Sequence, residues 1–213
     1  MNAIRGLPAS IAIIALGVGA AAAEPAAIGA VDKLQGQADA TQAERTRGLA
    51  VDAELLFRDR CHSGAGARLQ ATLKDGTKLT MGENATLTID EFVYKPGQSA
   101  GELSVKVAKG AFLYVGGLVE GEPGAKVQIR TPVAALGVRG TTVWGGPIDK
   151  GYGVFVLNGE VTVTGKRGRV TLRQGQGTML FASGKPQRAT AWRAAKVDRA
   201  IATVSFAPPQ AKP

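Results

Sequence analysis

The sequence predicts an all-β domain followed by a short C-terminal helix, and three observations support this prediction. Apolar and polar residues alternate in many short runs, such as the one that contains Leu69, Ala71 and Leu73, with the period of a half-buried strand. Turn signals such as Asp75-Gly76 separate the runs, and the chain contains 29 glycines. Aromatic residues make up only 5% of the chain, so the core must be built from Val, Leu, Ile and Ala.

The first 23 residues have the three parts of a secretory signal peptide. Arg5 gives a positive start, residues 11–18 an apolar centre, and residues 21–23 the small side chains of a cleavage site. We therefore expect residues 1–23 to be removed and the mature protein to be periplasmic, with no membrane span after cleavage. The alternative is an uncleaved anchor, because residues 6–23 are apolar almost throughout.

Residues 24–182 are predicted to form the β domain, in which a regular strand series begins after Gly64. The leucines Leu69, Leu79 and Leu87 lie 10 and 8 residues apart. This strand spacing fits a barrel, a sandwich or a solenoid and does not choose among them. The later strands are separated by breaks at residues 95–100, 116–124 and 145–151.

One stretch, residues 131–142, places a cation in an otherwise apolar run, and we expect the domain to be organised around it. Arg139 lies between Gly137 and Gly140, which allow backbone conformations or close approaches that a Cβ would block. The five donors of the arginine can then brace the turns by binding neighbouring carbonyl groups, or bind an incoming anion. Arg139, Gly140 and Thr141 are therefore the predicted signature and interaction residues.

The same stretch, Thr-Pro-Val-Ala-x-x-Gly-Val-Arg-Gly-Thr, resembles the signature of the FecR (ferric citrate regulator) family of bacterial envelope proteins. Other runs that resemble the family, in the same order, are Gly66-Ala67-Arg68-Leu69, Asp75-Gly76-Thr77-Lys78-Leu79, Ile89-Asp90-Glu91-Phe92, Lys109-Gly110-Ala111-Phe112 and Leu157-Asn158-Gly159-Glu160-Val161. The resemblance implies a short β-solenoid-like stack of strands, which suits the Gly-rich turns and the few aromatics. A β-sandwich is the alternative.

The resemblance also implies a function in signalling. FecR proteins typically carry signals from outer-membrane, TonB-dependent transporters to cytoplasmic sigma factors, with a cytoplasmic anti-sigma segment, a spanning helix and a periplasmic domain. Because this chain has a signal peptide in place of the first two parts, we expect a stand-alone secreted member that does not itself contact a sigma factor. Its expected role is a non-enzymatic interaction module in envelope or iron-uptake signalling, with a transporter or membrane regulator as partner.

The charge of the chain suggests a second function. Lys and Arg number 26 against 17 Asp and Glu, and removal of residues 1–23 takes away one base and no acid, so 25 against 17 leaves +8. A basic secreted protein attracts phosphate and acidic glycan over about a Debye length. The alternative function is therefore a structural or ligand-binding envelope protein that holds anionic glycan or lipopolysaccharide. Nucleic acid is not an expected partner in that compartment.

The sequence offers few groups for catalysis or metal binding. His62 is the only histidine and Cys61 the only cysteine, and neighbours on a strand point to opposite faces. Together they supply at most two metal ligands, where zinc sites take three or four. The acidic pairs Asp90-Glu91 and Glu120 with Glu122 show no spacing that would place two catalytic carboxylates face to face. Asp90 and Glu91, beside Phe92 and Tyr94, are expected on the surface. We therefore expect no enzyme activity, no cofactor and no metal, and a buried Cys61.

Residues 183–213 are predicted to form a C-terminal helix and a disordered tail. The spacing of Trp192, Ala195 and Arg199 is partly helical. A helix here would cap the open end of the strand stack and cover its edges, with Trp192 as its anchor. The alternative is a docking helix for a partner, and Trp192 is therefore the fourth predicted signature and interaction residue. Residues 208–213 are expected to be disordered.

Overall fold

The computed structural model describes residues 26–95 and 100–207. The predicted signal peptide, residues 1–23, and the predicted disordered tail, residues 208–213, lie outside the described residues. Within the described ranges, no helix combines the length and the apolar character that a membrane crossing requires.

The described residues contain sixteen strands, one 3-10 turn and one α-helix, which confirms the predicted all-β class with a short C-terminal helix. The strands are β1 (Ala27–Gln35), β2 (Ala38–Gln42), β3 (Arg45–Gly48), β4 (Glu54–Leu56), β5 (Arg60–Ser63), β6 (Arg68–Leu73), β7 (Lys78–Met81), β8 (Thr86–Val93), β9 (Glu102–Lys109), β10 (Phe112–Val115), β11 (Lys126–Arg130), β12 (Ala134–Ile148), β13 (Gly151–Gly165), β14 (Gly168–Arg173), β15 (Gln176–Leu180) and β16 (Thr190–Ala191). The 3-10 turn is Leu118–Gly121, and α1 is Ala194–Ala202.

All of these strands belong to one sheet that curls into a half-barrel. Paired strands are antiparallel, except that β9 and β11 run parallel. In β6 the predicted alternation is observed, because Leu69, Ala71 and Leu73 are buried and the residues between them are partly exposed. The finer choice between a solenoid-like stack and a sandwich stays a prediction, since short strands with tight turns are common to both.

One arginine ties together β3 and β4, the two ends of the hydrogen-bonded strand order. Arg47 in β3 donates from Nη1 to Oδ1 of Asp59 at 2.8 Å, and from Nη2 to Oδ2 of Asp59. The same Nη2 donates to the carbonyl oxygen of Glu54 in β4 at 3.0 Å. Asp59 is only 3% exposed, and its Oδ2 also accepts the amide of Leu56 at 2.8 Å. A buried carboxylate therefore holds the arginine that joins the two edges.

The longest element is the hairpin of β12 and β13, with 15 residues in each strand. A straight strand of that length spans about 50 Å. Nevertheless, Pro132, just before β12, and Lys150, in the turn between the two strands, line the same cleft. The hairpin is therefore folded back on itself. On the side away from β13, the first part of β12 pairs with β11 and the later part pairs with β10.

Helix α1 packs on the outer face of this hairpin. Ala200 and Val204 are buried against Trp144 and Phe155, in a cluster separate from the main core inside the curl. The indole Nε1 of Trp144 donates to Oγ1 of Thr203 at 3.0 Å. The prediction that this helix caps the open end of the strand stack stays a prediction; the contacts observed are those with Trp144 and Phe155 of the hairpin. One edge of β15 is paired with β16.

Cys61 lies in β5 and is buried, as expected, with 3% of its surface exposed. Burial raises the pKa of its thiol to about 12, so the reactive thiolate is scarce at neutral pH. We expect the folded protein not to react with a thiol reagent such as dithionitrobenzoate at pH 8, and to react with one equivalent once unfolded in urea. Stoichiometric labelling of the folded protein would show that the thiol is accessible.

Candidate interaction groove

The signature stretch forms a bulge that bends the long hairpin. The pairing of β12 with β13 shifts register between Arg139 and Thr142, and Gly140 has a φ of +60°. Opposite it, Gly159 has a φ of +81°, and a Cβ there would overlap the carbonyl oxygen of Gly140. Bulges bend the strand that carries them and increase its twist. The two glycines therefore allow the backbones to approach closely where the hairpin folds back.

A carboxylate from the 3-10 turn fastens the bulge. Oε2 of Glu120 accepts the amide of Thr141 at 2.8 Å, and the carbonyl oxygen of Thr141 accepts the amide of Gly116 at 2.9 Å. Asp75 holds the start of the turn. Its backbone carbonyl oxygen accepts the amide of Leu118 at 2.8 Å, and Oδ2 of its buried carboxylate accepts the amide of Val119 at 3.4 Å. Glu120 is therefore bound into the fold, because its carboxylate satisfies an amide that the bulge leaves without a strand partner.

The phenol of Tyr114 lies buried beside this carboxylate. Burial, with the negative charge of Glu120 as a second cause, raises the pKa of Tyr114 well above its ordinary value. The phenol therefore stays protonated and uncharged at physiological pH.

Arg139 points away from the core and into a groove. The residue is exposed, and it forms no hydrogen bond or ion pair with any residue that the structure describes. The expectation that Arg139 is held between two glycines to brace turns is therefore wrong. Backbone contacts of Gly140 and Thr141 stabilise the bend instead, and leave the guanidinium free.

The groove runs across β9, β11, β12 and β13, with Glu91 of β8 at its margin, and has a volume of about 500 Å³. Its charged lining residues are Glu91, Glu102, Lys126, Arg130, Arg139 and Glu160. Ser104 also lines the groove; it is 3% exposed, and its hydroxyl has no hydrogen-bond partner among the described residues. Both signs of charge, together with an unpaired hydroxyl, suit a polar, directional contact with another molecule.

Trp192 does not lie in this groove. Its indole stacks on Phe155 with ring centroids 5.2 Å apart and meets Trp144 edge-on at 6.0 Å. The ammonium of Lys196 lies 4.3 Å from its ring centroid. The structure thus places Trp192 as the anchor of α1, and on a surface different from that of Arg139. The four predicted signature and interaction residues therefore fall into two groups rather than one site.

Cys61 and His62, adjacent in β5, lie in different environments. Cys61 is buried, whereas His62 is partly exposed and its Nδ1 lies 3.3 Å from Oγ1 of Thr86. Among the parts of the chain that the structure describes, no group of three or more His, Cys, Asp or Glu side chains is placed to hold a metal ion.

Residues 59–162 match the family model described as FecR protein. These residues are a FecR domain. The match contains the bulge, Arg139 and every residue that lines the groove, and it ends within β13. Strands β14 to β16 and helix α1 lie beyond the matched residues of the FecR model. No curated protein matches the chain.

Two solved structures share the fold of this chain. Both are crystal structures of a "putative anti-sigma factor" from Parabacteroides distasonis ATCC 8503, at 2.50 Å and 1.65 Å resolution. They are 18% and 17% identical to this chain, with TM-scores of 0.52 and 0.51. In each case the alignment covers 65% of this chain and 62% of the other, so the chain spans less than two thirds of these neighbours. At this identity the likeness shows the fold.

Proposed function

We propose that this FecR protein is a non-enzymatic interaction module that acts in envelope signalling by binding another envelope protein through the Arg139 groove. The observation that carries the proposal is the free guanidinium of Arg139. The signature bulge orients this side chain outward, and no described residue pairs with it. Arginine is among the residues that contribute most to protein interfaces, because its planar fork of donors binds carboxylates and carbonyl groups in a fixed geometry.

Two further observations support a signalling role. The FecR domain includes the entire bulge, and the two structural neighbours are described as anti-sigma factors. A partner in an envelope signalling system would be an outer-membrane transporter or an inner-membrane regulator. The proposed periplasmic location rests on the sequence of residues 1–23, which has the pattern of a signal peptide.

The test is chemical cross-linking of the tagged protein in its own cell envelope, followed by mass spectrometry of the captured material. We expect the wild-type protein to capture a transporter or a membrane regulator. Arg139→Ala should lower recovery of that protein by about tenfold, the effect of losing one well-placed charged contact. The matched control is Arg169→Ala, because Arg169 is also exposed and does not line the groove.

Two outcomes would contradict the proposal. One is recovery of the same protein partner at equal yield by wild type and Arg139→Ala, which would place the contact elsewhere. The other is recovery of glycan or lipopolysaccharide with no protein, which would support the structural or ligand-binding alternative. Added salt would then abolish binding steeply, since such contacts depend on unscreened charge.

A further inference from the structure

We propose that a second cleft, at the folded-back ends of the β12–β13 hairpin, binds a single-chain amphipathic anion: an alkyl or acyl chain with a carboxylate or phosphate head. This hairpin-end cleft has a volume of about 310 Å³. The lining residues that matter for the argument are Pro132, Val133, Lys150, Tyr152, Lys166 and Phe181. None of them lines the Arg139 groove.

The floor of the hairpin-end cleft is apolar. Phe181 is 40% exposed, one of the few large apolar side chains at the surface of the described residues. Pro132 and Val133 face the same space from the start of β12. An exposed apolar surface inside a concave site gains free energy when an apolar group covers it.

The rim of the cleft is cationic. Lys150 and Lys166 are exposed, and neither forms an ion pair with a described residue. Asp149 adjoins Lys150, but its carboxylate is bound by Lys196 at 3.0 Å and by Arg199 at 2.9 Å. Among the residues that the structure describes, no acidic side chain lines the cleft. Both lysines are therefore available to an anionic head group.

The part of the chain that forms the cleft also carries a net positive charge, like the two lysines of the rim. Residues 123–207 contain thirteen Lys and Arg but only three Asp and Glu, a net charge of +10. Two of these three carboxylates, Asp149 and Glu160, are already in ion pairs. Residues 1–122 contain twelve bases and fourteen acids, a net charge of −2. The positive potential is thus concentrated in the part of the chain that forms the cleft and attracts anions toward it.

Two features limit the kind of ligand. Ligand sites usually range from about 300 to 1,000 Å³, so a cleft of this size takes one chain or ring rather than a lipid with several chains. Tyr152 lines the cleft, is 8% exposed, and its hydroxyl has no hydrogen-bond partner among the described residues. An unpaired buried hydroxyl is usually satisfied by another molecule. The combination fits an apolar chain with a polar head.

The test is calorimetric titration of the whole protein with dodecyl phosphate, below the concentration at which the probe forms micelles. We expect saturable binding with one site per chain. Phe181→Ala and Lys166→Gln should each weaken it by about tenfold, through lost apolar contact and a lost charge-assisted contact respectively. Both side chains are exposed, so neither change threatens the fold. Lys150→Gln should also weaken the binding of dodecyl phosphate.

Three controls make the result decisive. Lys78→Gln removes an exposed lysine of β7 and should leave the affinity unchanged. Arg139→Ala should also leave the affinity for dodecyl phosphate unchanged. A negative result here would therefore bear on the cleft alone, and not on the proposed protein partner of the Arg139 groove. Dodecyl maltoside, which has the same chain and a neutral head, should bind at least about tenfold more weakly. Equal affinity for the two probes, binding to many sites, or no effect of Phe181→Ala would overturn the proposal.

Discussion

Gly159→Ala is expected to lower the free energy of unfolding by about 3 kcal/mol. Gly159 has a φ of +81°, a conformation that costs a residue with a Cβ about 1–2 kcal/mol. The new methyl group would also overlap the carbonyl oxygen of Gly140, and relief of such overpacking costs about 1–3 kcal/mol more. Urea denaturation followed by circular dichroism measures the effect.

Two other glycines of the hairpin provide graded controls. Gly140 has a φ of +60°, but a Cβ there meets no atom within 4 Å, so Gly140→Ala should cost only about 1 kcal/mol. Gly137 also has open space around its Cβ position and no positive φ, and Gly137→Ala should stay within about 0.5 kcal/mol of the wild type. Equal effects at all three positions would show that the close approach at Gly159 does not limit the bend.

Arg47→Ala is expected to destabilise the protein by about 3 kcal/mol. The change leaves the carboxylate of Asp59, which is 3% exposed, without its cation. Breaking a buried pair in this way costs about 3–5 kcal/mol, and the value falls at the lower end because the Arg47 side chain is itself 36% exposed. The change also releases the contact with Glu54 that joins β3 to β4. The midpoint of urea unfolding should fall accordingly.

Two variants separate the ion pair from a general effect of charge. Arg45→Ala removes an exposed arginine from the same strand and should change stability by less than about 0.5 kcal/mol. The double change Arg47→Met with Asp59→Leu replaces the pair by apolar side chains and should restore part of the loss. A double variant as unstable as the sum of the two single changes would indicate that the ion pair is not the cause.

Much of the local structure could be predicted from the sequence, because it depends on neighbouring residues. The alternation in β6 requires only that side chains on a strand face opposite sides in turn. The burial of Cys61 and the anchoring position of Trp192 also follow from their apolar character. Long-range order does not follow in this way. The parallel pairing of β9 with β11 and the switch of β12 between partners depend on which strands meet after the chain curls.

The sequence predicts the unusual backbone of the candidate site but not its long-range contacts. The glycines around Arg139 indicate unusual backbone, and the structure confirms a bulge at Gly140. The sequence does not show that Glu120, a charged residue in a Gly-rich segment, binds the amide of Thr141. Nor does it show that the hydroxyl of Ser104, which lines the groove, has no hydrogen-bond partner among the described residues. The bond from Thr141 to Glu120 joins residues 21 positions apart, and the surroundings of Ser104 depend on which strands meet beside β9, so local sequence pattern carries no signal for either.

The Arg139 groove is the central claim, and site-specific photo-cross-linking in living cells tests it most directly. A photoreactive residue at Gln128, which is exposed and lines the groove, should form an adduct with one envelope protein. The same residue at Lys33, exposed on β1 and outside the groove, should form none. We expect the Gln128 adduct to disappear when Arg139→Ala is added. An adduct of equal yield at both positions, or one that persists without Arg139, would contradict the account.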